Sequence, residues 1–354
     1  MNLNRPIEKE LDKAMTPRTL VSRFRGAKRL IALPLAAALL TALIAGCGGG
    51  SSNSLSLVAY STPQEAYSAL IPAFTKTPAG KGISFNQSYG ASGDQSRAVG
   101  SGLAADVVEF ALEPDMQKLV DAGKVAAGWN KNAHKGFVTD SVVTFVVRKG
   151  NPKGIKGWDD LTKPGVEVIT PNPFSSGGAR WNVMAAYGSQ ITQGRSDAEG
   201  IAFLKALFTN VPVQDKSARD ALQTFIGGKG DVLISYENEA ITAQQKGQDV
   251  DYVTPDQTIL IENPIAVTSN SKHPQQAKAF VDFLLGPEAQ KIFASKGYRP
   301  VDPSLVDAKQ FPKPSGLFTI DDLGGWSKIS SEFFDPDKGK FAAVEKDLGV
   351  STAK

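Results

Sequence analysis

From residue 55 onward, short apolar runs alternate with amphipathic stretches. Leu-Ser-Leu-Val-Ala-Tyr-Ser (55–61) reads as a buried strand, followed by a helix from about Gln64 to Thr75. Residues 82–90 predict a second strand and 93–103 a short helix. The near-continuous apolar run Ala105–Leu112 suits a strand covered on both faces. The rhythm continues with strands at 141–150 and 166–173, helices at 179–190 and 198–210, and a strand running into a helix over 230–242. Residues 275–295 predict a helix broken at Gly286-Pro287. Strands alternating with helices in two successive series predict α/β architecture, mainly parallel sheets with helices on both faces, divided into two lobes.

The first 46 residues do not fit that rhythm. Arg18, Arg23, Arg25, Lys28 and Arg29 precede an apolar run from Leu30 to Gly46, which ends Leu43-Ile44-Ala45-Gly46-Cys47. Basic, then apolar, then small residues is the order of a bacterial export signal, here 1–46, starting at Met1 or Met15. The closing residues match a lipobox, in which the cysteine is lipidated and becomes the mature N-terminus. The alternative, an N-terminal transmembrane anchor, has a run short for a span and leaves Cys47 unexplained. Gly- and Ser-rich residues 47–54 then form a flexible tether. Cys47 is the sole cysteine, so the chain has no internal disulfide and relies on packed cores.

Removing the leader reverses the charge. The chain has 39 Lys/Arg and 36 Asp/Glu; eight and three of these precede Cys47, leaving 31 basic and 33 acidic residues. The mature protein is not broadly basic, which argues against nucleic acid as a partner. Any anion must be held by a local site.

Pro-Asn-Pro-Phe-Ser-Ser-Gly-Gly-Ala-Arg-Trp-Asn (171–182) supplies one candidate. Helix N-termini carry unpaired N–H groups and partial positive charge, and glycine lets an oxygen approach the backbone. Ser176, Gly177 and Gly178 therefore form a possible cradle for a tetrahedral oxyanion, although a plain serine N-cap after a proline turn reads the same way. Ser92-Gly93, between a strand and a helix, is a second such loop. Both lie where open α/β sheets bind ligands, at the carboxyl ends of strands. Enzyme chemistry fits less well. His134 and His273 lie far in sequence from the Ser/Gly turns, and Asp159-Asp160 and Asp321-Asp322 resemble helix-start caps. No cluster has metal-ligand spacing, and no cofactor motif is present.

Together, SYGASGDQSRAV (88–99), ADVVEFAL (105–112), VVRKGNPKGIKGWDDL (146–161), KPGVEVITPNPFSSGGARWN (163–182), GDVLISYENEA (230–240) and FTIDDLGGW (318–326) resemble the periplasmic sulfate-binding proteins of sulfate/thiosulfate ABC importers. The resemblance covers nearly the whole chain after Cys47. A lipobox is the form the family takes in actinobacteria such as mycobacteria. The resemblance implies a type II periplasmic-binding fold, with 55–141 and 259–354 as lobe 1, 142–258 as lobe 2, and one dehydrated sulfate in the cleft between them. It implies backbone N–H contacts from Ser61, Ser92, Gly177, Gly178 and Ala218, with both N–H and hydroxyl from Ser176. Arg219 is implied as a charge behind the contact layer. Tyr236 departs from the family's usual tryptophan; a phenol can accept as well as donate. Asp94, with Arg219, is expected behind the contact layer, where an acid in the first turn of a helix suits the dipole; it stands where the family commonly has a neutral or basic residue, and a carboxylate reaching the ligand instead would favour hydrogenphosphate. The implied partners are sulfate, ABC permease subunits and, through a lipid on Cys47, the membrane; the implied state is a monomer. Competing readings are a receptor of the same fold for phosphate or another oxyanion, and a secreted serine hydrolase.

Overall fold

The computed structural model describes residues 53–352. The export signal and Cys47 lie outside these residues. Among the described residues, ten strands and eleven α-helices follow one another. The first group is β1 (Ser54–Tyr60), α1 (Gln64–Lys76), β2 (Ser84–Gly90), α2 (Ser92–Gly100), β3 (Val107–Glu109) and α3 (Glu113–Asp121). Then come β4 (Phe137–Arg148), β5 (Val168–Pro171), α4 (Gly177–Ile191), α5 (Asp197–Thr209), β6 (Val213–Asp215), α6 (Ala218–Ile226), β7 (Val232–Tyr236), α7 (Glu237–Gln245) and β8 (Val250–Val253). The chain finishes with β9 (Gln257–Val267), α8 (Pro274–Leu284), α9 (Pro287–Ser295), β10 (Gly316–Phe318), α10 (Gly325–Phe333) and α11 (Lys340–Asp347). The break expected near Gly286-Pro287 separates α8 from α9. The two paired-aspartate stretches are short 3-10 turns in which Asp160 and Asp322 accept backbone N–H groups, as caps do.

The alternation of apolar runs and helices yields two strand groups. In one, β1 lies between β2 and β3, parallel to both. In the other, β5 lies between β6 and β7, again parallel to both. Each group is covered on both faces. Leu57 and Ala59 of β1 pack with Tyr67, Phe280 and Phe293 on one side, while Val58 and Val108 pack with Val99 and Met116 on the other. Ile169 and Leu233 pack with Leu222 and Phe225, whereas Val168 and Ile234 pack with Met184 and Leu204.

Two long antiparallel strands join the groups, and their orientation is not apparent from apolar patterning. The first part of β4 (137–142) pairs with β9 (260–264), and its later part pairs with β7 and β8. The last residues of β9 (265–267) pair antiparallel with β3. The sheets are thus mixed: the ladders inside each group are parallel, and those that β4 and β9 make with each other and with β3, β7 and β8 are antiparallel.

The chain crosses once more near its end. Helices α8 and α9 pack on α1 in the first group. Residues after 316 return to the second: β10 runs beside residues 257–259 of β9, Phe341 meets Phe208, Phe333 meets Tyr187, and Gln214 donates to Glu345. The expectation kept 259–354 together with 55–141. A uniform amphipathic pattern does not reveal which core a helix joins.

Within the crossing pair, Asp140 stands directly opposite Glu262. Burial pushes the Asp140 carboxyl up to about 8, and the Glu262 charge adds to the shift while Arg299 opposes it. The folded state therefore holds this proton more tightly than the unfolded chain. That stabilisation is complete below about pH 4, the ordinary aspartate range, and is lost as pH rises through about 8. Asp140→Asn should consequently melt a few degrees above wild type at roughly pH 9 and by much less at roughly pH 5, as read by calorimetry. Glu109, buried and also raised to about 8, remains in the variant, so the pH dependence shrinks rather than disappears. Equal shifts at both pH values would remove Asp140 from this role.

Candidate functional site

Helix α4 fixes one side of the candidate site. Its residues Gly177–Gln190 are all buried, so the helix is held around its whole circumference. Ser176 is its N-cap, with Oγ accepting from Ala179 N at 3.3 Å. The Ser176 N–H donates to Asn172 O at 2.8 Å. It is thereby engaged in the turn, and the residue's free donor is its hydroxyl.

The two glycines differ in what surrounds them. A Cβ on Gly177 would lie 2.7 Å from Leu112 Cδ2 and 2.8 Å from Ala111 Cβ, so α4 abuts the β3–α3 link so closely that no side chain fits. A Cβ on Gly178 would lie 3.4 Å from Tyr236 Cε1, 3.5 Å from Ser176 Oγ and 3.6 Å from Ala218 Cβ. Residues 176, 178, 218 and 236, separated by up to sixty positions in sequence, therefore surround one point.

The first strand group reaches the same place. Ser92 opens α2 and is 2% exposed. Its hydroxyl donates to Asp115 Oδ2 at 2.7 Å and accepts from Ala111 N at 3.0 Å. Burial pushes Asp115 up, but the charges of Lys118 and Arg180 outweigh it and the carboxyl titrates below the usual range. An ionised Asp115 therefore holds the Ser92 hydroxyl, leaving the N–H at this helix start. The neighbouring Gly93 N–H donates to Ser175 O at 3.2 Å, linking the start of α2 to the turn before α4. Ser61 follows β1 and is 7% exposed; it shares a cleft of about 440 Å³ with Gln95, Ser217 and Arg219.

Among the described residues, the backbone N–H groups of Ser61, Ser92, Gly177, Gly178 and Ala218 meet no acceptor. First-turn amides lack helical partners by construction, and here three helix starts bring theirs into one buried region. Tyr236 ends β7, is 1% exposed, and its hydroxyl makes no well-formed hydrogen bond, with Asn263 beside it. Burial pushes this phenol well above its ordinary range, so it retains its proton and can donate.

Charged groups surround this region with their charges engaged elsewhere. One Arg219 nitrogen bonds both Thr62 O and Glu239 Oε1 at 3.0 Å, tying α6 to the β1–α1 turn and to α7. Asp94 is paired with Arg97 and, at 2.7 Å, with Lys216 on the other side of the cleft. A proton-accepting role for Asp94 at the ligand does not fit this arrangement. The cross-cleft pairing was missed because 122 positions separate the partners and neither residue type is diagnostic.

Two α/β halves joined by crossing strands, with uncharged donors gathered between them, fit a solute-binding protein. The match to known proteins agrees: the chain belongs to the bacterial extracellular solute-binding protein family, whose model matches residues 55–299. A sulfate-binding protein from Synechococcus elongatus is 46% identical over 323 residues, covering 86% of this chain and 92% of that protein. A thiosulfate-binding protein from Pseudomonas aeruginosa is 33% identical, covering 87% and 96%. Among solved structures, the sulfate-binding protein SubI from Mycobacterium tuberculosis superposes with a TM-score of 0.78 at 50% identity, covering 80% of this chain and 99% of that one. The architecture is accordingly the two-lobed type II periplasmic-binding fold. Among the described residues, no helix is long and apolar enough to cross a membrane, and no group of three or more His, Cys, Asp or Glu side chains could hold a metal ion.

The contrast between the glycines is testable by denaturant unfolding. Gly177→Ala should cost about 1–3 kcal/mol, because its methyl overlaps Leu112 and Ala111. Gly178→Ala, with ordinary contacts only, should stay within about 0.5 kcal/mol of wild type. A reversed order would show that the glycines are not placed as described.

Proposed function

We propose that this chain is an extracytoplasmic receptor that captures sulfate and delivers it to an ABC permease. The observation that carries the reading is the convergence of unpartnered N–H groups from Ser61, Ser92, Gly177, Gly178 and Ala218, joined by the Ser176 and Tyr236 hydroxyls. A buried dianion is costly unless hydrogen-bonded, and these donors offer nothing but hydrogen bonds. At about 1.5–3 kcal/mol per charge-assisted bond, such a set outweighs the ~8 kcal/mol of a micromolar complex, leaving a margin for dehydration and closure. Arg219 lies behind this layer with its charge engaged by Glu239.

Sulfate is favoured over hydrogenphosphate because a protonated anion needs an acceptor, and the Asp94 carboxylate is ion-paired with Arg97 and Lys216, although its Oδ2 makes no well-formed hydrogen bond. The names carried by the relatives support sulfate, with thiosulfate as the second reading. In the proposed mechanism, residues 55–136 with α8 and α9 form one lobe, and 143–256 with the returning residues 316–352 form the other. Strands β4 and β9 act as the hinge, and the closed form docks on the permease. Cys47 anchors a monomeric receptor to the outer face of the membrane through its lipid.

Isothermal titration with sulfate, thiosulfate, phosphate and molybdate at about pH 6 and pH 8 tests the assignment; tighter binding of phosphate than sulfate overturns it. Ser176→Ala should weaken sulfate binding by about 1–3 kcal/mol. It also removes an N-cap, so Gly178→Ala serves as the companion variant: its methyl fills the cradle while the cap persists, and sulfate binding should fall at least about tenfold. An ester-hydrolysis rate in wild type that disappears in Ser176→Ala would favour the hydrolase instead.

A further inference from the structure

Tyr60 ends β1, one residue before Ser61, and had no place among the donors expected from sequence. It is 3% exposed and packs in the core that contains Tyr236, Ala111 and Leu112. The Tyr60 and Tyr236 rings lie with centroids 6.4 Å apart. Both hydroxyls are buried and neither makes a well-formed hydrogen bond, with Thr62 and Tyr298 close to the Tyr60 hydroxyl and Asn263 close to that of Tyr236. The polar groups nearby have stronger partners of their own. Tyr298 donates to Thr62 Oγ1 at 3.3 Å beside Tyr60, and Asn263, beside Tyr236, donates its amide to Ala111 O at 3.1 Å. A buried hydroxyl left unpaired forfeits the bonds it made to water, so two together call for an explanation. These two come from opposite halves, Tyr60 adjoining Ser61 and Tyr236 adjoining Gly178.

We propose that Tyr60 donates its phenol hydrogen bond to the bound anion alongside Tyr236, and that this phenol pair sets a preference for oxygen over sulfur at one corner of the tetrahedron. The inference rests on the oxyanion-receptor reading above. An oxygen of sulfate is compact and concentrates its charge, so it accepts strongly from a short O–H donor. The terminal sulfur of thiosulfate is larger, more diffuse and a weaker acceptor. Phenylalanine in place of Tyr60 would present an apolar edge, which deprives an oxygen of its donor but costs a sulfur little. Burial pushes both phenols well above their ordinary range, so both remain protonated donors at neutral pH.

In calorimetric titrations, Tyr60→Phe should weaken sulfate binding about tenfold and thiosulfate binding by less than about threefold, with the unliganded melting temperature unchanged. Unchanged sulfate affinity, or equal weakening of both anions, overturns the proposal. A second readout leaves Tyr60 intact. In protein labelled with carbon-13 at tyrosine Cζ, sulfate should move two buried resonances, only one of which is missing in Tyr236→Phe. A single moving resonance that belongs to Tyr236 also overturns it. Wild-type protein that binds neither anion overturns the receptor reading itself, and this inference with it.

Discussion

Ala111 is the point on which the arrangement depends. Its N–H donates to the Ser92 hydroxyl, which is held in turn by Asp115. Its carbonyl accepts from Trp181 Nε1 at 2.7 Å and from Asn263 Nδ2 at 3.1 Å, so one residue ties α2, α4 and β9 together. Its methyl sits where Gly177 leaves no room for a side chain. A helix start can approach the other half this closely only because residue 177 lacks a Cβ. It holds that position because Trp181, one turn along α4, is fully buried and stacks edge-on against Trp326 at 4.6 Å.

From that contact the electrostatics follow. The helix starts contribute directed N–H groups and partial positive charge, and full charges are kept one layer back and neutralised locally. Arg219 is bonded to Glu239, Asp94 to Arg97 and Lys216, and Asp115 lies beside Lys118 and Arg180. Those ionic groups position backbone and cleft walls. The interior keeps neutral donors, which suits an anion that must be released again.

The sequence made some of this legible and not the rest. Ser-Ser-Gly-Gly and Ser-Gly at strand-to-helix junctions announced helix N-termini at the carboxyl ends of strands, and both stand there. Ala218 and Tyr236 carried no such local mark; only the resemblance brought them forward, and the surroundings of Gly178 place them beside Ser176. The crossing strands were seen as apolar runs, but such runs do not encode direction, so the antiparallel pairing of β4 with β9 was not anticipated. Asp94 was expected behind the contact layer, but its pairing with Lys216 was not, since that partner lies far along the chain. Tyr60 passed as a core residue, since an unpaired hydroxyl is invisible until its neighbours are in place.

The return of the last segment to the second half has a bearing on biogenesis. The core around Met184 and Leu204 includes Phe333, Phe341 and Val344, and the core around Tyr67 includes Phe280 and Phe293. Both halves are therefore assembled from stretches distant in sequence. A polypeptide emerging from its N-terminus cannot complete either core until nearly all of it has been synthesised. Until then both unfinished cores leave apolar surface uncovered, so this topology places a long stretch of synthesis at risk of misassociation.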